Sequence, residues 1–110
     1  MNISARRVDQ VTILDVSGNI DMSNSPGVRQ VLLREIRANN AARVVVNLTK
    51  VGYIDSSGVA SLVEALQASR KAGLRFGLFG LSDAAREVMK LSRLLKLFEV
   101  FDNEEQAIAR

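Results

Sequence analysis

The sequence predicts an α/β fold, a mixed β-sheet with helices mainly on one face. Three observations predict it. Segments rich in β-branched residues alternate with segments of helical periodicity. Residues 44–48 are apolar almost throughout, which marks a strand covered on both faces. Two strand-like segments precede the first helical one, so the alternation opens on a hairpin. The expected order is β-β-α-β-α-β-α-β-α, with right-handed crossovers, in a single domain spanning 1–110.

The elements follow from local chemistry. Residues 2–8 and 11–17 read as strands, with Asp9-Gln10 as the turn between them and Gly18 as the stop. Residues 19–24 are a loop. Ser25-Pro26 opens a helix, with serine as cap and proline at the first helical position. Val28, Val31, Leu32 and Ile36 make its apolar stripe; Arg29, Arg34 and Arg37 are its solvated remainder. Asn39-Asn40 ends it. Residues 43–48 form the buried central strand, in which an inward Asn47 needs a hydrogen-bond partner.

The strongest helical pattern begins at Val59 and continues through Leu62, Val63 and Leu66. Arg70 and Lys71 complement its carboxyl end, and Gly73 stands where a left-handed residue is wanted. Residues 74–79 alternate as the next strand. Ser82 caps a third helix carrying Ala85, Val88 and Met89 on one side. Residues 95–101 read as a short strand. Asp102 to Glu105 has capping-box spacing and starts a terminal helix.

Composition removes several function classes. With 47% apolar residues in 110, the chain has enough apolar material for a core. It contains no cysteine and no histidine, which rules out thiol chemistry, a Ser-His-Asp triad and a phosphohistidine. Asp15, Asp21 and Asp55 lack the spacing of a metal loop. Gly73, Gly77 and Gly80 flank a strand and do not make a phosphate-binding fingerprint. No catalysis, cofactor or metal is expected. The net charge of +3 is spread out, and aromatics are 5%, so direct nucleic-acid binding is not expected. Residues 1–7 lack the apolar core of a signal peptide, and no apolar run reaches membrane-spanning length. The expectation is a cytoplasmic chain without membrane insertion.

The most informative stretch is Asp55-Ser56-Ser57-Gly58, where an extended run gives way to a helix. On local chemistry alone, Asp55 or Ser56 caps that helix. The same position also suits an anion, because free N–H groups and partial positive charge meet there. A serine there can carry a phosphate, which adds roughly −1.5 to −2 charge.

The motifs also carry a resemblance. Gly18-Asn19-Ile20-Asp21 follows a strand; residues 44–48 lead to Tyr53-Ile54-Asp55-Ser56-Ser57-Gly58-Val59; residues 74–80 and 94–101 close the pattern. This resembles the STAS domain family, and within it the bacterial anti-sigma factor antagonists, over nearly the whole chain. The resemblance implies a non-enzymatic, phosphorylation-switched binding module. Its partners would be an anti-sigma factor that is also a serine kinase, and a serine phosphatase. The phosphoacceptor would be Ser57, and the partner-binding residues Asp21, Asp55, Ser56, Ser57 and Gly58. The unmodified form would hold the anti-sigma factor and so free a sigma factor. Asn47 departs from the aspartate that many relatives carry, at a position read as structural. Two other roles share the fold: an accessory subunit of a transporter (a lipid-transport ATP-binding-cassette system or an anion permease), and a stressosome-like scaffold subunit. The intact Ser56-Ser57 pair favours the switch over the first. The absence of an N-terminal sensory domain weighs against the second.

Overall fold

β1 (Asn2–Val8) and β2 (Val11–Ser17) form an antiparallel hairpin in the computed structural model, which describes residues 1–38 and 41–109. Asp9 turns the hairpin with φ 54°, a left-handed backbone that aspartate tolerates. α1 (Ser25–Ala38), β3 (Arg43–Lys50), α2 (Ser56–Lys71), β4 (Arg75–Phe79), α3 (Asp83–Leu91), β5 (Glu99–Phe101) and α4 (Glu104–Ala109) follow. The predicted element order is therefore the observed one. The expected helix stop at Asn39-Asn40 lies outside the described residues.

The sheet order is β1-β2-β3-β4-β5, with β2 to β5 parallel. Each crossover steps to the neighbouring strand in one direction. Crossovers of a single hand then deposit their helices on one face. That face carries the main core: Leu14 and Val16 from β2, Val44, Val46 and Leu48 from β3, and Phe76 and Leu78 from β4 pack under α1, α2 and α3. The alternate residues Val11, Ile13, Val45, Phe79 and Phe101 face the other way, where α4 covers them through Ala107 and Ile108. β3 is thus buried on both sides over residues 43–46.

The structure corrects three details. The first bond of α1 runs from the Val28 N–H to the Asn24 carbonyl, so Asn24 holds the cap position and Ser25 is already helical. Residues 95–101 are not one strand. A 3-10 turn (Leu95–Leu97) precedes the three-residue β5. Leu94 and Leu95 pack against the main core there, and the Phe98 ring sits 6.3 Å from that of Phe76. Finally, α4 is capped by Asn103, whose Oδ1 accepts the Gln106 N–H at 3.0 Å; the Gln106 side chain returns to the Asp102 N–H. The box is therefore shifted by one residue from the predicted pair. Ser82 caps α3 as expected, with its Oγ accepting the Ala85 N–H.

Candidate functional site

The site is built at the carboxyl ends of the parallel strands, where loops converge. The chain leaves β2 at Gly18 and runs beside the segment that leaves β3. The Ile20 N–H donates to the Tyr53 carbonyl, and the Asp55 N–H to the Ile20 carbonyl, both at 3.0 Å. Ile20 and Ile54 form an isolated parallel bridge and are fully buried. Asn19 adds its Oδ1 as acceptor for the Tyr53 N–H at 3.1 Å. Residues 19–24 and the start of α2 are thereby held as one surface.

Asp55 organises the first turn of α2. Its Oδ1 accepts the N–H groups of Ser57 and Gly58 at 2.9 and 3.1 Å, and the Ser57 hydroxyl at 2.5 Å. Its Oδ2 accepts the Met22 N–H at 3.2 Å. The Ser57 hydroxyl bond, more than the backbone N–H groups, holds the Asp55 carboxyl below the usual carboxylate range, against a smaller opposing effect of burial. Asp55 is therefore an anion at neutral pH. It orients the Ser57 hydroxyl by taking its proton in a hydrogen bond, which leaves the oxygen's lone pairs directed elsewhere.

The five residues singled out in sequence are not equivalent. Asp55, Ser57 and Gly58 form one hydrogen-bonded unit. Ser56 is exposed in the same turn, and Ser57 is half-buried. Gly58 is buried, so it presents no surface of its own: a Cβ there would lie 2.5 Å from Ile54 Cγ1 and 2.7 Å from Ile20 Cγ2. Asp21 makes no hydrogen bond to this unit. Its Oδ1 accepts the N–H and hydroxyl of Ser23, and its carbonyl accepts from Asn24 and Ser25, so it shapes its own loop. The loop is instead linked to Asp55 by backbone, through the Ile20 carbonyl and the Met22 N–H.

Two surface residues were not anticipated. The Met22 side chain is 78% exposed and that of Tyr53 45%, both on segments that meet at Asp55. An apolar side chain between the polar Asp21 and Ser23 was the available signal for Met22. Asn47, on the opposite face, finds its partners. Its Nδ2 donates to Asp15 at 2.8 Å, and its Oδ1 accepts from the N–H and hydroxyl of Thr49. Among the described residues, no group of acidic side chains is arranged to hold a metal ion, and no helix is long and apolar enough to cross a membrane.

The STAS domain family model matches residues 2–107. The chain is 33% identical over 101 residues to the anti-sigma-B factor antagonist of Listeria monocytogenes, covering 91% of this chain and 78% of that protein. It is 27% identical to the anti-sigma-B factor antagonist of Staphylococcus aureus over 96% of both chains. Among solved structures, an anti-sigma factor antagonist from Mycobacterium paratuberculosis superposes with a TM-score of 0.87 at 25% identity, covering 98% of this chain and 91% of that one.

Proposed function

The chain belongs to the STAS domain family, and on that premise we propose that it is an anti-sigma factor antagonist switched by phosphorylation of Ser57. The observation that carries this reading is the Ser57 hydroxyl in the first turn of α2, oriented by Asp55 on a surface built from two loops. The similarity to proteins named as anti-sigma-B factor antagonists supports the choice of partner.

The unmodified surface binds an anti-sigma factor that is also a serine kinase, and the bound sigma factor is released. Residues of the Asp55 turn, with Met22 and Tyr53 beside them, supply polar and apolar contacts. In the kinase step, Ser57 Oγ forms a bond to the γ-phosphorus of ATP, the bond to ADP breaks, and the hydroxyl proton passes to a base of the kinase. Asp55 is too weak a base to take that proton outright, since its carboxyl is held below the usual range. Its part is to position the hydroxyl.

The phosphate acts on the interface. It replaces a hydroxyl by a group of roughly −1.5 to −2 charge beside the Asp55 carboxylate. A micromolar complex rests on about 8 kcal/mol. Burying an uncompensated dianion costs several kcal/mol of that, enough to end binding. A serine phosphatase restores the hydroxyl and the complex.

The test uses the purified chain, the anti-sigma factor from the same genome and ATP. Ser57→Ala is expected to fold, to stay unmodified by mass spectrometry and to bind constitutively. Ser57→Asp binds weakly. Phosphate on Ser56 in place of Ser57, or normal phosphorylation of Ser57→Ala, would refute the assignment.

A further inference from the structure

The outward side of α1 and the crevice between α1 and α2 form one groove. Its two lobes, about 830 and about 460 Å³, share Arg29, Leu33 and Arg37. These three stand at i, i+4 and i+8, on one line along the helix. Arg34 rims the first lobe and Lys71 the second. Against these four cations stands one carboxylate, Glu64, which Arg29 already pairs at 3.2 Å. The surplus of three positive charges equals the net charge of the whole chain, +3. Among the described residues, Arg34, Arg37 and Lys71 have no salt-bridge or hydrogen-bond partner. Solvated arginines on a helix are ordinary, but three surplus positive charges lining one groove make a local field suited to an acidic partner.

Apolar side chains also line the groove. Leu33 and Ala68 are half-buried between the cationic side chains. At the amino end, a Cβ on Gly27 would meet nothing within 4 Å, so the trough is open there. We infer that this groove takes an acidic amphipathic helix of a protein partner, with its apolar stripe on Leu33 and Ala68 and its carboxylates on Arg34, Arg37 and Lys71. The chemistry favours this occupant over nucleic acid, since among the described residues no aromatic side chain lines the groove to stack a base. It favours it over a membrane, because none of the large exposed apolar side chains lines the groove. The groove contains none of Asp55, Ser56 or Ser57, so the inference stands apart from the phosphorylation reading.

The test is a titration of the isotope-labelled full chain followed by amide chemical shifts. The probe is a synthetic amphipathic peptide as long as α1, 14 residues, with leucines on one face and glutamates on the other. A second peptide carries glutamine for glutamate, and a single-stranded oligothymidine serves as competitor. Shifts are expected along α1 and α2 with the glutamate peptide and not with the glutamine one. They weaken with added salt, and affinity falls at least tenfold in both Arg34→Glu and Arg37→Gln. Both changes are at exposed helix positions, so unaltered melting curves establish that the variants fold. Ser57→Ala binds the peptide as the parent does. Equal binding of the glutamine peptide, binding that survives both substitutions, or no shift at millimolar peptide overturns the inference. Displacement of the peptide by oligothymidine at lower concentration overturns it in favour of nucleic acid.

Discussion

Gly58 lets α2 approach the sheet more closely than any side chain would permit. Alanine is the better helix former by up to about 1 kcal/mol. At this position its Cβ would fall 2.5 and 2.7 Å from carbons of two fully buried isoleucines that have nowhere to go. Overpacking of this kind costs about 1–3 kcal/mol, so the clash wins. Gly58→Ala is expected to lower the urea midpoint by an amount worth about 1–2 kcal/mol. Gly27→Ala, in α1 with open space around it, should raise it slightly. An unchanged midpoint for Gly58→Ala would mean that α2 can lift without cost. The contrast also shows which site residues were legible in sequence. Asp55 as cap and Ser57 in the first turn follow from residue type and position. The burial of Gly58 depends on Ile20, which is 38 positions away in the chain and meets it only through the bridge to Ile54. Likewise, nothing in the sequence shows that Asp21, which the resemblance groups with Asp55 in partner binding, spends its Oδ1 on Ser23.

The smaller elements depend on contacts outside themselves. α4 has six residues, too few to persist alone. It is held at both ends: Arg6 on β1 pairs with Glu104 in its first turn, and the buried Arg43 donates to the Ala107 carbonyl in its last. Arg6 also bonds Asp15 at 2.7 Å, so one guanidinium clips helix to sheet. The hydrogen bonds to Arg6 hold the carboxyls of both Asp15 and Glu104 below their usual range. A depressed folded value means that the clip is fully present above the ordinary carboxylate range. It is lost only as pH falls through the folded values. The side chains are 31–40% exposed, so the clip contributes at most about 1 kcal/mol. Arg6→Ala should speed amide exchange across α4 at neutral pH while barely shifting the melting temperature. The parent should show the same loosening only in acid below the usual carboxylate range. Protection of α4 unchanged in Arg6→Ala would show that the Arg43 bond and the packing of Ala107 hold it without Arg6. α2 and α3 end in the same way. The residue after the cap takes a left-handed φ, 75° at Gly73 and 61° at Arg93, and the next N–H reaches back to the carbonyl of Ser69 or Met89. The glycine made the first end legible; an arginine there hid the second. Arg93→Gly should relieve the left-handed penalty, about 1–2 kcal/mol, less the entropy glycine adds to the unfolded chain. A rise in melting temperature of a few degrees is expected, and a fall would mean that the Arg93 side chain contributes more than its backbone costs.

At the scale of the whole molecule, a monotonic strand order places every strand-to-helix loop of the parallel set at one end of the sheet and three helices on one face. The element order was legible, because periodicity, caps and terminators are local. What was not legible is long-range. The spatial strand order, α4 on the far face and the Arg6–Glu104 pair, 98 residues apart, are set by packing that no short window records. This layout separates Ser57, the proposed phosphoacceptor, from the core. Ser57 lies at the rim, where a phosphate would meet the positive end of a 16-residue helix. Phosphorylation removes the Ser57 hydroxyl proton from Asp55, but Asp55 keeps the N–H groups of Ser57, Gly58 and Met22. The favourable helix-end interaction, about 0.3–1 kcal/mol, and the repulsion from Asp55 oppose each other at similar size. The net effect on folding should lie within about 0.5 kcal/mol, or roughly 2–4 °C for a chain of this size. The net charge of +3 falls by roughly 1.5 to 2, which moves the protein forward on a cation exchanger. The expected result is an earlier-eluting, singly phosphorylated species with an unaltered far-ultraviolet spectrum and nearly the same melting temperature that no longer binds the anti-sigma factor. A fall of more than about 10 °C on phosphorylation would instead mean that the switch works by loosening the fold, because no surface charge at a helix end accounts for a loss of that size.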